Sequence, residues 1–320
     1  MKFRTECEIP KSVVTIDFDK PIASVGSCFA DNIAKRLREC MVNAQNPLGV
    51  LFNPLSIADA LELVLLSDDK DSLFSKSIFS DHDLYHSWLF DSKFSSVSMD
   101  GCIEKFKINS ALFYNIVEQS NVLLITFGTS FCYFSSSNEG KVVANCHKQH
   151  SSLFSRRRIG EDEILKRWKP LCEQIKAKFP NLELIFTVSP VRHIKDGLHE
   201  NNLSKASLLL AVDSICRDYN YCHYFPAYEL INDDLRDYRY YAEDLAHPSE
   251  QGIEYIWERF VDTYFEPQGR KLLHEGHELF TRLNHRPINK ESAAYRRFMA
   301  DTLRRYEEFK VLHPNCARPI

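Results

Sequence analysis

Four short runs of mainly apolar or β-branched residues, separated by longer segments of helical periodicity, constrain the fold of this chain more than any other feature. The runs at 22–25, 122–127 and 182–188, and a weaker one at 221–225, are bounded by Gly, Pro, Asn or Ser. Apolar runs without alternation are typical of strands that are buried on both faces. Strands that alternate with helices form parallel sheets. The sequence therefore predicts an α/β fold built on a parallel sheet.

The segments between these runs carry apolar residues at the spacing of amphipathic helices. Two of them open on recognisable start signals, since Asn53 precedes Pro54 and Asn202 precedes a later periodic run. The helices of the α/β part are predicted at 31–40, 54–66, 103–118, 162–179, 204–218 and 249–265.

Two further segments do not fit the strand and helix alternation. Residues 67–101 are rich in Ser and Asp around an aromatic stretch, which predicts an insertion that folds over the edge of the sheet and leaves open whether it acts as a lid. Charged helices are predicted at 269–283 and 290–311. We therefore divide the chain into an α/β domain at 1–265 and a C-terminal helical extension at 266–320, a candidate element for dimerisation or for a lid.

The charge of the chain argues against a polyanionic partner. The 320 residues carry a net charge of −4, and the one dense basic run, at 156–158, is more typical of a solvated loop than of a binding patch. We expect no nucleic-acid partner. The acidic N-terminal segment and the lack of a long apolar run lead us to expect a cytoplasmic protein without a membrane partner. The ten cysteines form no CxxC pair, which favours reduced thiols.

The first candidate for chemistry is Ser27. It follows the apolar run that ends at Gly26 and directly precedes a predicted helix. A side chain at such a junction lies at the carboxyl end of the sheet, where open α/β folds bind ligands. The start of a helix also favours negative charge, as on an attacking alkoxide. The alternative is a serine that only caps the helix.

The second candidate is Asp244-Leu-Ala-His247, which stands before the last helix of the α/β part. Pro248 follows the histidine and holds it in a loop, and an acid three residues earlier can reach one ring nitrogen. A base with an orienting acid is what a serine nucleophile needs. The alternative is an incidental Asp–His pair on a surface loop.

The two candidates together resemble the SGNH (GDSL-like) hydrolases, in which the catalytic residues occur in the order Ser, Asp, His. The chain also resembles the GSCFA-domain family, a bacterial family within or beside that superfamily. That resemblance is carried by Gly-Ser-Cys-Phe-Ala at 26–30, Asn-Pro-Leu-Gly-Val-Leu-Phe-Asn-Pro at 46–54, Thr-Phe-Gly-Thr at 126–129, Asn-Cys-His-Lys at 145–148, Val-Ser-Pro-Val-Arg-His at 188–193, Leu-Arg-Asp-Tyr-Arg-Tyr at 235–240 and Asp-Leu-Ala-His-Pro-Ser at 244–249.

The resemblance implies a three-layer, doubly wound parallel sheet of the SGNH or flavodoxin-like kind, followed by the C-terminal helices. It also implies an oxyanion hole, for which the matching positions are the amides of Ser27, Gly49 and Gly128 and the side chain of Asn145. The family block Gly-x-Asn-Asp is altered here, because Ser130 stands where the asparagine would be. Either Asn145 replaces it from the next loop or Ser130 donates itself.

Two other groups of residues are alternative candidates for a reactive or metal-binding site. Cys28 is a candidate thiol nucleophile, but adjacent side chains diverge, so only one of Ser27 and Cys28 can face His247. His82 and His86 have the spacing of a metal site on a helix, although their segment is more typical of a strand and no carboxylate completes a zinc motif. No metal or other cofactor is expected.

Four polar residues are candidates for substrate binding, with hydrogen bonding to loop carbonyls as the alternative. The four residues are His147, Lys148, Arg192 and His193.

The function predicted from these residues is acyl transfer through a Ser27 acyl-enzyme, with His247 as the base and Asp244 as the orienting acid. The substrate would be a small-molecule or carbohydrate O-acyl ester, such as an acetyl ester. The acceptor stays open: water makes an esterase, and a sugar hydroxyl makes an acyltransferase. The alternative function is an inactive binding or scaffold protein that uses the same cleft and the C-terminal helices.

Overall fold

A computed structural model describes residues 4–136 and 140–317. The first residues of the acidic N-terminal segment, from Met1, lie outside the described residues. The strands are β1 (Ile22–Gly26), β2 (Ala44–Gln45), β3 (Ile78–Asp81), β4 (Leu84–Ser87), β5 (Val122–Phe127), β6 (Phe131–Ser135), β7 (Val142–Val143), β8 (Phe154–Arg158), β9 (Glu183–Val188) and β10 (Cys222–Tyr224). The helices are α1 (Cys28–Glu39), α2 (Pro54–Leu61), α3 (Lys70–Lys76), α4 (Met99–Gln119), α5 (Glu161–Lys178), α6 (Leu198–Asp218), α7 (Ala227–Glu229), α8 (Glu250–Tyr264), α9 (Pro267–Leu283) and α10 (Ala293–Leu312).

The centre of the fold is a five-stranded sheet in which every pairing is parallel. Its order is β10-β9-β5-β1-β2. Numbered along the chain, this is the 2-1-3-4-5 order of flavodoxin-like doubly wound sheets, which reverses direction between β1 and β5. The predicted α/β class is confirmed, and the four apolar runs form four of the five strands.

Alternate residues of the strands point into two separate cores. Ala23 and Val25 of β1 face the core that is covered by α2, α4, α5 and α6, whereas Ile22 faces the core that is covered by α1, α8 and α9. Both faces of the sheet are therefore covered by helices, which explains why its strands are apolar without alternation.

The predicted helices are present, with shifts at their ends. Helix α1 begins at Cys28 rather than at 31, and α6 begins at Leu198 rather than at 204. The prediction at 54–66 divides into α2 and a π-helical turn, Glu62–Leu66. These shifts matter for the site, because they place Ser27 at the first position before α1.

The segment at 67–101 forms α3 and an antiparallel β3–β4 hairpin, and its aromatic residues enter the first core. Phe74 stacks on Phe106 of α4 with ring centroids 4.1 Å apart, and Phe90 lies 4.5 Å from Phe94. This segment is anchored by buried aromatic rings.

A second, antiparallel sheet in the order β7-β6-β8 was not predicted. The arginine run at 156–158 lies on β8 rather than in a loop, and each charge has an acidic partner. Arg156 pairs with Asp196, Arg157 with Glu163, and Arg158 with Glu200. This pairing leaves no free basic patch on β8.

The C-terminal helices pack against the α/β part. Gly276 of α9 lies so close to Cys40 at the end of α1 that a Cβ atom there would be 2.1 Å from the Cys40 carbonyl oxygen. The amide of Ala317 donates to the carbonyl of Met41 at 2.7 Å, and Arg282 of α9 pairs with Asp301 of α10. Within the described residues, no helix combines the length and apolar character needed to cross a membrane.

Candidate active site

Ser27 lies at the carboxyl edge of the sheet, between β1 and α1. Gly26 before it has φ +134°, and a Cβ atom there would lie 2.2 Å from the carbonyl oxygen of Thr126. Only glycine lets β1 approach β5 this closely. The amide of Ser27 donates to the same Thr126 carbonyl at 3.1 Å. Ser27 is thereby fixed at the point where the strand order of the sheet reverses, the usual ligand position in such folds.

The hydroxyl of Ser27 does not cap the helix that follows it. Ser27 occupies the N-cap position of α1 but makes no side-chain capping hydrogen bond. The residue is 2 % exposed, and its Oγ has no hydrogen-bond partner within the described residues. A buried unpaired hydroxyl costs about 1–3 kcal/mol. At four of the other described α-helices the N-cap side chain does accept such a bond, namely that of Asn53, Ser98, Ser249 and Ser292, whereas those of Asp69 and Glu266 do not.

Asp244 and His247 form a short hydrogen bond in the turn before α8. His247 Nδ1 lies 2.6 Å from Asp244 Oδ2, and the amides of Ala246 and His247 each donate to Oδ1 at 3.0 Å. Leu245 closes the turn with φ +55°. The two amides and then the imidazole lower the pKa of Asp244 to about 2. The carboxylate is therefore ionised at neutral pH and holds Nδ1, which leaves Nε2 for proton transfer.

The loop after β9 ties this turn to the edge of the sheet where Ser27 lies. The amide of Arg192 donates to the carbonyl of Ala246 at 3.0 Å. Its guanidinium lies over the rings of Tyr241 and Tyr238, at 4.2 and 5.3 Å from their centroids. Arg192 thus supports the histidine turn, and its charge is held against aromatic rings.

The predicted contact between Ser27 and His247 is not formed in the structure. Within residues 4–136 and 140–317 no hydrogen bond joins Ser27 Oγ to the imidazole. Half of the His247 side chain is exposed, whereas Ser27 is buried. The two halves of the predicted triad are formed separately, and Arg192 links the histidine turn to the loop after β9.

Gly128, at the end of β5, approaches Ser27 closely. A Cβ atom on Gly128 would lie 3.2 Å from Ser27 Cβ and 3.0 Å from the carbonyl oxygen of Phe52. The amides of Gly128 and Thr129 both donate to that oxygen, at 2.8 and 3.1 Å. Two consecutive amides that converge on one oxygen form the kind of nest that binds an anion. In this conformation the nest holds the chain's own Phe52 carbonyl.

The other predicted oxyanion donors have different surroundings. Gly49 has φ +75°, and a Cβ atom there would lie 2.7 Å from the carboxylate oxygens of Asp91. Ser130 is fully buried, and its hydroxyl donates to Ser204 Oγ at 3.1 Å. Ser130 is therefore already engaged, and no hydrogen bond within the described residues joins Asn145 to Ser27 Oγ.

Asn145, His147 and Lys148 line a groove of about 560 Å³ together with His82 and His86. His147 and Lys148 both adopt positive φ angles, 48° and 61°. Burial lowers the pKa of His147. The contacts of its Nε2 are with the backbone carbonyls of Ser87 and Phe90, at 2.8 and 3.1 Å. His147, predicted to bind substrate, therefore binds backbone carbonyls instead. Lys148, the next predicted substrate residue, lines the same groove.

A buried lysine, Lys205 on α6, is a site residue that the sequence reasoning missed. It is 1 % exposed, and its Nζ donates to the carbonyl oxygens of Gly128 and Ser189 at 2.6 Å each. These carbonyls follow β5 and β9, so one amine joins the ends of two neighbouring strands beside Ser27. Burial lowers the pKa of Lys205 to about 7.

His193 lies against the same strand ends. Burial, followed by the nearby charge of Lys205, lowers its pKa to about 4, although a hydrogen bond with the Gly128 backbone opposes this shift. Its ring meets Phe52 edge-on, with the centroids 6.4 Å apart. His193 is therefore neutral at neutral pH, and of the four predicted substrate residues it has this direct contact with Gly128.

The rival nucleophile and the metal site gain no support from the geometry. Burial, and then the charge of Asp31, raises the pKa of the Cys28 thiol, which disfavours the thiolate that a cysteine nucleophile needs. Within the described part of the chain, no group of three or more His, Cys, Asp or Glu side chains could hold a metal ion.

Comparison with known proteins identifies a family for most of the chain. Residues 277–317 match the family described as GSCFA domain protein, C-terminal domain. No curated protein matches the chain. Residues 21–260, which include Ser27, Asp244 and His247, match the GSCFA family. The chain therefore belongs to the GSCFA family.

Proposed function

We propose that this protein is a serine hydrolase of the SGNH kind, an esterase or acyltransferase with Ser27 as nucleophile, His247 as base and Asp244 as orienting acid. The observation that carries the proposal is the Ser27 hydroxyl, which is buried and unpaired at a helix N-cap where it makes no capping bond. The parallel sheet, its 2-1-3-4-5 strand order and the order Ser, Asp, His along the chain support membership of the SGNH superfamily.

The proposed reaction begins with attack of Ser27 Oγ on the carbonyl carbon of an ester. His247 Nε2 accepts the hydroxyl proton and returns it to the leaving alkoxide, which departs as an alcohol and leaves an acyl-Ser27 ester. A water or sugar hydroxyl then attacks this ester and gives its proton to His247. The bond between the acyl carbon and Ser27 Oγ breaks, His247 returns the proton to Oγ, and a carboxylic acid or a new sugar ester is released. Asp244 holds Nδ1 at 2.6 Å and stabilises the imidazolium that forms in each step.

For this reaction the side chains of Ser27 and His247 must meet. His247 lies on an exposed turn, so closure of this turn over a bound substrate is the motion that the proposal requires. The substrate class follows from the resemblance to SGNH enzymes, and we propose a small O-acyl ester, such as an acetyl ester on a carbohydrate.

A binding protein without turnover is the second candidate, and one observation favours it. The amides of Ser27 and Gly128, two predicted oxyanion donors, already donate to the carbonyls of Thr126 and Phe52. A site whose donors stay engaged would bind a ligand without stabilising a tetrahedral oxyanion.

Labelling with a fluorophosphonate, followed by mass spectrometry, separates the two candidates. We expect one label, on Ser27, in the wild type and in a Cys28→Ala control, and none in Ser27→Ala. Hydrolysis of p-nitrophenyl acetate should follow the same pattern, and a label without hydrolysis would identify an acyltransferase. A folded wild type with neither label nor hydrolysis would overturn the proposal in favour of the binding protein.

A further inference from the structure

The amine of Lys205 is buried beside the candidate nucleophile without a carboxylate partner. It makes no ion pair within the described residues, and its polar contacts are the two carbonyls that end β5 and β9. The titratable groups that face it are Cys28 on α1, His193 after β9 and the ring of Tyr228 on α7, 5.8 Å away. An acidic side chain that would neutralise the ammonium is not among them.

Burying an amine of this kind lowers the stability of the fold, so its presence indicates a function. Its desolvation disfavours the charged form, and a methionine of similar length would fill the same space without that cost. One of its two carbonyl partners belongs to Gly128, which packs directly against the nucleophile: a Cβ atom on Gly128 would lie 3.2 Å from Ser27 Cβ. The positive charge is therefore directed at the strand end where negative charge would develop.

We propose that Lys205 is a positioning residue for Ser27: it fixes the ends of β5 and β9 through Gly128 and Ser189 and supplies a positive potential that stabilises the serine alkoxide and the tetrahedral anion. This inference rests on the proposed hydrolase function. The charge of Lys205 would stabilise the anion electrostatically. The altered block at 128–130 does not do so through Ser130, because the Ser130 hydroxyl is bonded to Ser204.

The charge state of Lys205 makes the role testable by pH. Because burial lowers its pKa to about 7, the amine is charged below this pH and increasingly neutral above it. The contribution to Ser27 should therefore be present in mildly acidic solution and fade in mildly basic solution. A clamp that acted by shape alone would have no such dependence.

The test is the second-order rate of fluorophosphonate labelling at Ser27 between pH 5.5 and 9, in wild type, Lys205→Met and Lys205→Arg. We expect wild type to exceed Lys205→Met by about ten-fold at the acidic end. The ratio should fall towards the basic end, where only the two hydrogen bonds of the neutral amine remain. Lys205→Arg keeps its charge throughout, so its rate relative to wild type should rise with pH through about 7. Thermal unfolding of each variant checks that it is folded.

The possible failures are distinguishable. A folded wild type that is never labelled would refute the hydrolase proposal and this inference with it. A wild type that is labelled, with Lys205→Met showing the same rate and pH profile, would overturn the role of Lys205 alone. Should Lys205→Met not fold, Lys205→Arg decides: a pH profile identical to that of wild type, or complete loss of labelling, would overturn the proposal, the latter because it would assign the amine as the proton acceptor.

Discussion

Ser27 and Gly128 meet across the ends of two parallel strands so closely that a side chain on residue 128 would begin 3.2 Å from Ser27 Cβ. This contact joins the candidate nucleophile to the pair of amides that hold the Phe52 carbonyl. The packing of Ser27 against residue 128 and the Phe52 carbonyl, at the carboxyl edge of the sheet, therefore depends on the absence of a side chain at 128.

Gly128→Ala tests this dependence. The added methyl group would be tightly packed between Ser27 and the Phe52 carbonyl, so we expect a loss of unfolding free energy of about 1–3 kcal/mol and slower labelling of Ser27. Denaturant unfolding and fluorophosphonate labelling measure the two effects. Gly160→Ala, where the new Cβ would meet nothing within 4 Å, is the control and should label at the wild-type rate.

Asp244→Asn should impair the reaction while leaving the fold intact. The substitution replaces a carboxylate that is ionised above pH about 2 with a neutral amide. The NH₂ group of the asparagine would either face His247 Nδ1 or face the backbone amides of Ala246 and His247, and in the second case their hydrogen bonds would be lost. We expect labelling of Ser27 to slow by roughly 10²–10⁴-fold with an unchanged thermal midpoint. Glu243→Gln, an exposed neighbouring acid, is the matched control. Equal rates in the two variants would remove Asp244 from the mechanism.

The burial of Lys205 predicts a pH dependence of stability. The pKa of the amine is about 7 in the folded protein and about 10.4 in an unfolded chain. Between these values the unfolded chain binds the proton that the folded protein has lost, so the free energy of unfolding gains, at most, about 1.4 kcal/mol per pH unit from this group. The stability of wild type relative to Lys205→Met should therefore rise from pH 7 to pH 10 in denaturant titrations. Parallel curves would show that the amine titrates normally.

Gly276→Ala should detach the C-terminal helices. Since a Cβ atom would lie 2.1 Å from the Cys40 carbonyl oxygen, α9 must move away from the end of α1. We expect faster proteolytic cleavage between α8 and α10, together with a lower thermal midpoint. Glu275→Ala, on the neighbouring exposed position, should retain wild-type protection. Unchanged protection in Gly276→Ala would mean that the contact does not anchor the extension.

The sheet was predictable because its strands are buried on both faces, and that environment leaves a direct mark on composition. The runs at 22–25 and 122–127 are apolar apart from Ser24 and Thr126, and they coincide closely with β1 and β5. The small sheet of β6, β7 and β8 leaves no such mark. Strand β7 has two residues, and β8 carries three arginines, of which Arg156 and Arg158 have partners that are distant in sequence.

The turn of Asp244 and His247 was predictable because its contacts are local, within three residues. Lys205 was not, because its partners lie 77 and 16 residues away. A signal was nevertheless present: Lys205 occupies the apolar stripe of α6 with Leu208, Val212 and Ile215. Lysine normally lies on the solvent-exposed face of such a helix, so a lysine within the apolar stripe indicates a buried side chain.

The two hydrogen bonds of Lys205 also bear on when reactivity appears during folding. The amine can reach both carbonyls only after β5, β9 and α6 have assembled, and such distant pairings form late because their loops must close first. A partly folded chain would therefore carry an ordinary serine at position 27. Covalent reactivity of that serine would then report on completed folding, so an active-site label would count native molecules in a mixed population.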